Sequence, residues 1–212
     1  MGLLEARFIA PGQPSGVLIH EPVARGAIGL NFPLVEMHSQ LCSVGTMHGV
    51  LYVRNSPDVR PYDIQKELSA TPQGVNPEKI KQFLTRHAIP FRETFNGTIA
   101  DISRNISKGR VSIVAIQALD SEYEGYHVLP NTAEQELLVR YDAGHYSTVI
   151  GLDSRYVWMA DSHADRDITT NDGLNIPSGL RRMTHELFMR RWIDQSDTGI
   201  IYSRWSLAIP LA

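Results

Sequence analysis

The sequence predicts an α+β fold in which helices come first and an antiparallel sheet follows. In the first half, apolar residues recur at helical intervals, as they do over residues 42–53. In the second half, the apolar residues instead form continuous or alternating runs typical of strands, as at residues 111–116, 145–152 and 156–159. Helical segments followed by strands, without regular alternation of the two, are typical of α+β domains.

The helical segments have recognisable start and stop signals. Short helices are predicted over residues 62–70, 98–106 and 184–192. A further helix starts after Asn76, which is followed by a proline and a glutamate, a combination typical of a capped first turn. Gly109 has the position of a helix stop after residue 106.

The strands of the second half are predicted from their apolar runs and turns. Residues 111–116 form a buried strand, and residues 145–152 and 156–159 form a hairpin around a turn at 153–155. Residues 200–209 alternate in polarity and are expected to close the fold as one strand.

We expect one domain over the 212 residues, a length that suffices for a single hydrophobic core. Residues 1–34, rich in Gly and Pro, form an irregular N-terminal segment in this prediction. Residues 35–109 form a mainly helical lobe, and residues 110–212 form a mainly β lobe.

Composition excludes several classes of partner. The net charge of −3 gives no electrostatic reason to expect binding to nucleic acid or to an anionic membrane. No apolar run approaches the roughly 20 residues that a spanning helix needs. The N-terminus lacks the basic start and long apolar middle of a signal peptide, so we expect a cytoplasmic protein or one exported by a route that the sequence does not show.

Cys42 is the single cysteine, so the chain can form neither an internal disulfide nor a four-cysteine zinc site. It lies at the predicted start of a helix, where the helix dipole favours the nucleophilic thiolate and where its backbone N–H can help to form an oxyanion hole. The alternative is a buried structural cysteine. The polar residues that precede it argue against that alternative: Glu36, His38, Ser39 and Gln40.

His145 opens the first strand of the predicted hairpin, and Asp161 follows the second. Both therefore come to the same end of the sheet, where the carboxylate can accept from the imidazole ring and fix its tautomer. The alternatives are a water-satisfied surface pair, or a zinc site with His163. A metal site does not need a cysteine at a helix start, so we expect a catalytic pair and no metal.

These residues resemble the papain-like peptidases that cleave double-glycine leader peptides of bacteriocins. The resemblance is carried by Cys42 at a helix start, Gly144-His145-Tyr146 opening a strand, Asp161 at the end of the next strand, and the later segment 183–192 with its Phe and Trp. It implies a papain-like cysteine peptidase fold, with an N-terminal helical lobe and a C-terminal antiparallel sheet. It also implies Cys42 as nucleophile, His145 as base, Asp161 as the group that orients it, and no cofactor.

The sequence departs from the family at the oxyanion hole. The family has Asp-Cys-Gly at the nucleophile, whereas this chain has Leu41-Cys42-Ser43. The family also has a glutamine six residues before the cysteine, and here that position is Glu36, which cannot donate as a carboxylate. We therefore predict that Gln40 donates together with the Cys42 backbone, with a protonated Glu36 as the alternative.

The predicted function is a thiol hydrolase that cleaves an amide or peptide bond through a Cys42 acyl-enzyme. An acyltransferase or amidase of a biosynthetic pathway would use the same fold and triad, and a non-catalytic binding module would retain only the fold. The expected substrate is a peptide or a small acyl or amide compound. The sequence leaves the oligomeric state open.

Overall fold

A computed structural model describes ten segments of the chain. They are residues 6–7, 16–18, 28–29, 33–35, 41–54, 58–71, 74–117, 144–162, 180–196 and 199–211.

Five helices lie within these segments, and side chains define the starts of three of them. The helices are α1 (Cys42–Val53), α2 (Pro61–Leu68), α3 (Pro77–Arg86), α4 (Ile99–Ser107) and α5 (His185–Arg191). Asn76 caps α3 by accepting from the Lys79 backbone, and Thr98 forms a capping box with Asp101 at the start of α4. Gly109, with a φ of +66°, follows α4 in the left-handed region expected of a helix stop.

Twelve strands lie within the same described segments. The first six are β1 (Ala6–Arg7), β2 (Gly16–Leu18), β3 (Ile28–Gly29), β4 (Pro33–Val35), β5 (Arg92–Thr94) and β6 (Arg110–Gln117). The rest are β7 (Gly144–Leu152), β8 (Tyr156–Ala160), β9 (Leu180–Thr184), β10 (Ile193–Gln195), β11 (Ile201–Ser203) and β12 (Ser206–Pro210).

The central sheet is antiparallel and runs in the order β5–β12–β6–β7–β8–β9, and β3 pairs with the end of β7. Helices cover both of its faces. Val111, Ile113 and Ala115 belong to the apolar cluster that contains α1, α2 and α3, whereas Val114 and Ile116 belong to the cluster of α4 and α5. Burial on both faces explains why β6 is a continuous apolar run and does not alternate in polarity.

The structure confirms the predicted fold class and corrects two details. The run 200–209 is not one strand: β11 and β12 are separated at Arg204, whose φ of +46° turns the chain and places the buried Trp205 in the core. The strand β9 was not predicted, because its two buried arginines, Arg181 and Arg182, hide the apolar pattern. The described residues contain no helix that is long and apolar enough to span a membrane.

Candidate active site

Cys42 is the first residue of α1, which lies in the interior of the protein. This helix packs against α2, β4 and β7, and its residues from Cys42 to Leu51 are all buried. A helix that is apolar on every side is stable only in such a position. Cys42, a residue that is 8% exposed, therefore lies at the positive end of a buried helix dipole.

His145 lies near the start of β7, and its ring reaches Asp161, which follows β8. The Nε2 atom of His145 donates to Oδ1 of Asp161 at 2.7 Å. Because Thr148 pairs with Ala160, the histidine reaches the aspartate diagonally across the hairpin. Both side chains are buried, so this hydrogen bond is shielded from water.

The start of β7 also contacts the thiol. The Tyr146 backbone N–H donates to Cys42 Sγ at 3.5 Å, and His145 forms a side-chain hydrogen bond with Cys42. The Tyr146 hydroxyl donates to the carbonyl of Val75 at 2.8 Å, which attaches this strand end to the segment before α3. The thiol, the imidazole and the carboxylate are thus in a continuous chain of contacts.

The electrostatics of the site favour a protonated imidazole. Burial by itself lowers the pKa of His145, but the charges of Asp161 and Cys42 and the hydrogen bonds to both raise it to about 10. The carboxylate of Asp161 is therefore the counterion of an imidazolium that is removed from solvent. Such an arrangement can hold a charged nucleophile next to a proton donor.

Arg181, on β9, contacts the second oxygen of the aspartate. Its Nε atom lies 3.2 Å from Oδ2 of Asp161, and both side chains are buried. The angle at this contact is not that of a hydrogen bond, so we describe it as an ion pair. Sequence analysis missed this residue; the available signal was an arginine pair inside an otherwise apolar run from Leu180 to Met183.

Gly144, which precedes the histidine, lies close to β10. A Cβ atom at this position would collide with the carboxylate of Asp194. Gln117, which pairs with Gly144 in the sheet, donates to Oδ1 of Asp194 at 3.3 Å and to the carbonyl of Ile193 at 3.4 Å. A larger residue at position 144 would therefore require the Asp194 side chain to move.

The structure brings Cys42, His145 and Asp161 together, whereas the two candidates for the oxyanion hole, Gln40 and Glu36, lie outside the described residues. His163, the third member of the zinc alternative, lies outside them too. Within the described segments, no group of three His, Cys, Asp or Glu side chains is arranged to hold a metal ion.

No protein-family model and no curated protein matches this sequence significantly. Solved structures do match. The chain is similar to the crystal structure of the peptidase domain of Streptococcus ComA, a bi-functional ABC transporter involved in a quorum-sensing pathway. Sequence identity is 14% and the TM-score is 0.52, over 82% of this chain and 95% of that one.

Two further structures match to a similar degree. One is a double glycine motif protease from an AMS/PCAT transporter in complex with the leader peptide, with 12% identity and a TM-score of 0.51 over 89% of this chain and 97% of that one. The other is a putative C39-like peptidase from Bacillus anthracis, with 13% identity and a TM-score of 0.51 over 83% of this chain and 90% of that one.

The chain has the fold of these peptidase domains. The resemblance to double-glycine leader peptidases and the papain-like α+β architecture, both predicted from the sequence, are thereby confirmed. At such low identity the likeness concerns the double-glycine peptidase fold and not its activity. The chemistry of this protein must be argued from its own site.

Proposed function

We propose that the protein is a cysteine peptidase that cleaves peptide bonds through an acyl-enzyme on Cys42. The observation that carries the proposal is the buried chain of contacts from Cys42 through His145 to Asp161, with the histidine–aspartate hydrogen bond at 2.7 Å. A nucleophile, a base that contacts it and a third group that orients the base constitute the recognised pattern of covalent acyl transfer.

The reaction follows from this arrangement. The Cys42 thiolate attacks the carbonyl carbon, and the C–N bond breaks as the His145 imidazolium gives its proton to the leaving amine. Water then attacks the thioester and loses a proton to His145. The C–S bond breaks, which releases the acid and restores the thiolate. Asp161 holds the ring in one orientation throughout and stabilises its charged form.

The oxyanion of each tetrahedral intermediate needs N–H donors at about 2.7–3.1 Å. As the first residue of α1, Cys42 has a backbone N–H without a partner inside the helix, and this group is suited to that role. We propose Gln40 as the second donor, because an amide side chain can donate whereas an ionised Glu36 cannot.

For the substrate, we propose a peptide with two consecutive glycines before the cleaved bond. The support is that one structure of the same fold is a double glycine motif protease in complex with a leader peptide. The cytoplasmic location expected from the sequence stays a prediction.

The test uses a synthetic peptide with a central Gly-Gly and a matched peptide with Ala-Ala. Wild-type protein should cleave after the second glycine, and Cys42→Ala should not. Because Cys42 is the single cysteine, intact mass spectrometry of a quenched reaction assigns any acyl adduct directly. Absence of both cleavage and adduct on either peptide would refute the peptidase. Equal cleavage of both peptides would reject only the glycine preference.

An added amine distinguishes hydrolysis from acyl transfer. With hydroxylamine or glycine methyl ester present at millimolar concentration, a peptidase should still release mainly the free acid. An acyltransferase should release mainly the amide or hydroxamate, since it would exclude water from the thioester. The ratio of these products, measured by mass spectrometry, decides between the two uses of the same triad.

A further inference from the structure

The four groups at the open end of the β7–β8 hairpin alternate in charge. In the proposed reaction the thiolate of Cys42 is negative and the imidazolium of His145 is positive. The carboxylate of Asp161 is negative and the guanidinium of Arg181 is positive. All four side chains are buried, and the contacts between the last three are 2.7 Å and 3.2 Å long. An isolated buried charge is strongly unfavourable, whereas alternating charges compensate one another.

The carboxylate of Asp161 is shared between two cations. Oδ1 accepts from His145, and Oδ2 faces Arg181. A carboxylate held at one oxygen only can rotate about its terminal torsion, because such torsions have broad minima. A second contact on the other oxygen fixes the plane of the group and therefore the position of Oδ1.

We propose that Arg181 is a positioning residue of the active site: by pairing with Oδ2 it holds Asp161 ionised and directs Oδ1 at His145. The inference rests on the proposed peptidase function, because it assigns a part to the same triad. Arg181 acts only through Asp161 and contacts neither the thiol nor, in the proposed reaction, the substrate.

Arg182, the next residue of β9, serves as a natural control. It is buried like Arg181, but its side chain lies on the opposite face of the strand, with the guanidinium carbon 4.2 Å from the ring centre of Tyr156 and 5.6 Å from that of Trp158. Neighbouring residues of a strand point to opposite faces. Removal of either arginine takes one buried positive charge from the same strand, but of the two, the described contacts pair Arg181 with Asp161 and place Arg182 on Tyr156 and Trp158.

Other charged groups lie on the elements around this pair. Helix α5 packs on β8 and β9, and α4 and β10 pack on β7. On these elements the charged or titratable residues are His185, Glu186, Arg190 and Arg191 of α5, Asp101 and Arg104 of α4, and Asp194 of β10. Asp101 and Arg104 pair with each other at 2.7 Å, and Glu186 and Arg190 are exposed. Arg191 is buried, so Arg191→Met is the second control.

The sign of the electrostatic effect is defined. Without Arg181, Oδ1 of Asp161 is no longer held on His145, so the contact that stabilises the imidazolium weakens and His145 should lose its proton at a lower pH. Loss of a nearby positive charge alone would have the opposite sign. The expected displacement is on the order of one pH unit. Arg181→Lys retains the charge and should leave the transition close to that of the wild type.

The first experiment measures alkylation of Cys42 by iodoacetamide against pH, by intact mass, in the wild type, Arg181→Met, Arg181→Lys, Arg182→Met and Arg191→Met. The alkaline transition should move down in Arg181→Met alone. A transition in Arg181→Met that stays in place or moves up overturns the inference, as does an equal downward shift in Arg182→Met or Arg191→Met. This measurement needs no substrate. A wild-type protein without any such transition would instead contradict the triad, so the two failures are distinguishable.

The second experiment is a double-mutant cycle on peptide cleavage. Arg181→Met should lower kcat by about 10- to 100-fold with little change in KM, as expected for a misplaced catalytic group. In an Asp161→Asn background the same substitution should lower kcat by less than about twofold, because the residue through which it acts is gone. Equal losses in both backgrounds would show a merely structural arginine. Circular dichroism and urea unfolding identify variants that fail to fold. If Arg181→Met fails to fold, the same cycle is measured with Arg181→Lys instead.

Discussion

The two ends of the β7–β8 hairpin each carry an aspartate, and the two aspartates have different surroundings. At the turn, Asp153 accepts from the backbones of Arg155 and Tyr156 at 2.8 Å and 2.7 Å, and from Trp158 Nε1 at 2.7 Å. At the open end, Asp161 is buried between His145 and Arg181. Among the described residues, the partners of the first carboxylate are neutral donors, whereas those of the second are His145 and Arg181.

This difference fits a structural role for Asp153 and the catalytic role proposed for Asp161. Burial by itself raises the pKa of Asp153, but hydrogen bonds from Arg155, Trp158 and Tyr156 lower it, so the group stays ionised and fixes the turn. Asp161 instead faces a base that changes its proton during the proposed reaction. A carboxylate opposite a titratable group is suited to catalysis, whereas one satisfied by N–H donors is suited to stability.

The largest expected effect is at the open end. Asp161→Asn should lower peptide turnover by on the order of 10²–10⁴-fold, because an amide no longer selects the required tautomer of His145. The measurement is kcat on the Gly-Gly peptide, with circular dichroism to verify the fold. Unchanged turnover, with His145→Ala inactive, would mean that another group orients the histidine.

The next effect concerns the oxyanion that develops beside this end of the hairpin. Gln40→Ala should lower turnover by roughly 10²–10³-fold if its amide donates, as found for other such donors. Glu36→Gln should then change turnover little. The opposite pattern, a silent Gln40→Ala and a strongly altered Glu36→Gln, would move the donor to position 36.

Substitution of Asp153, at the turn of the hairpin, should change the stability of the protein and not its turnover of peptide. Asp153→Ala removes the acceptor of three N–H groups and should lower the free energy of unfolding by about 1–3 kcal/mol. Urea unfolding measures the loss, while kcat per folded molecule should stay at the wild-type value. A large fall in kcat at this position would contradict the division between the two ends.

The smallest expected effects are changes in the free energy of unfolding with pH. The contribution of His145 is lost at alkaline pH, whereas that of Asp153 is lost at acid pH. The pKa of His145 is raised to about 10, so its contribution to stability is complete below its ordinary pKa of 6.5 and is lost as pH rises towards 10. The pKa of Asp153 is lowered, so its contribution is complete above 3.8 and is lost as pH falls through the lowered value. Urea unfolding against pH should show the alkaline loss disappear in His145→Gln and the acid loss diminish in Asp153→Asn.

Local features of the sequence predicted much of the structure because their causes are local. A helix start is visible wherever the capping side chain lies within one turn, as at Asn76 and Thr98. The hairpin was predictable because a short turn joins its strands, which brings His145 and Asp161 to one end. The bulge between Val149 and Gly151, which shifts the register by one residue, was not predicted. The run 200–209 was misread because its apolar pattern does not reveal the left-handed turn at Arg204.

The sequence alone therefore determined that helices precede an antiparallel sheet, that a helix begins at Cys42 and that Asp161 lies within reach of His145. Only the tertiary structure decided the contact between Cys42 and Tyr146, which are 104 residues apart, and the pairing of β8 with β9 that places Arg181 beside Asp161. Sheet order and helix docking depend on the total apolar surface that is buried across the whole core. No short stretch of sequence determines that total. A buried arginine in a strand becomes intelligible only when the strand that carries its counterion lies next to it.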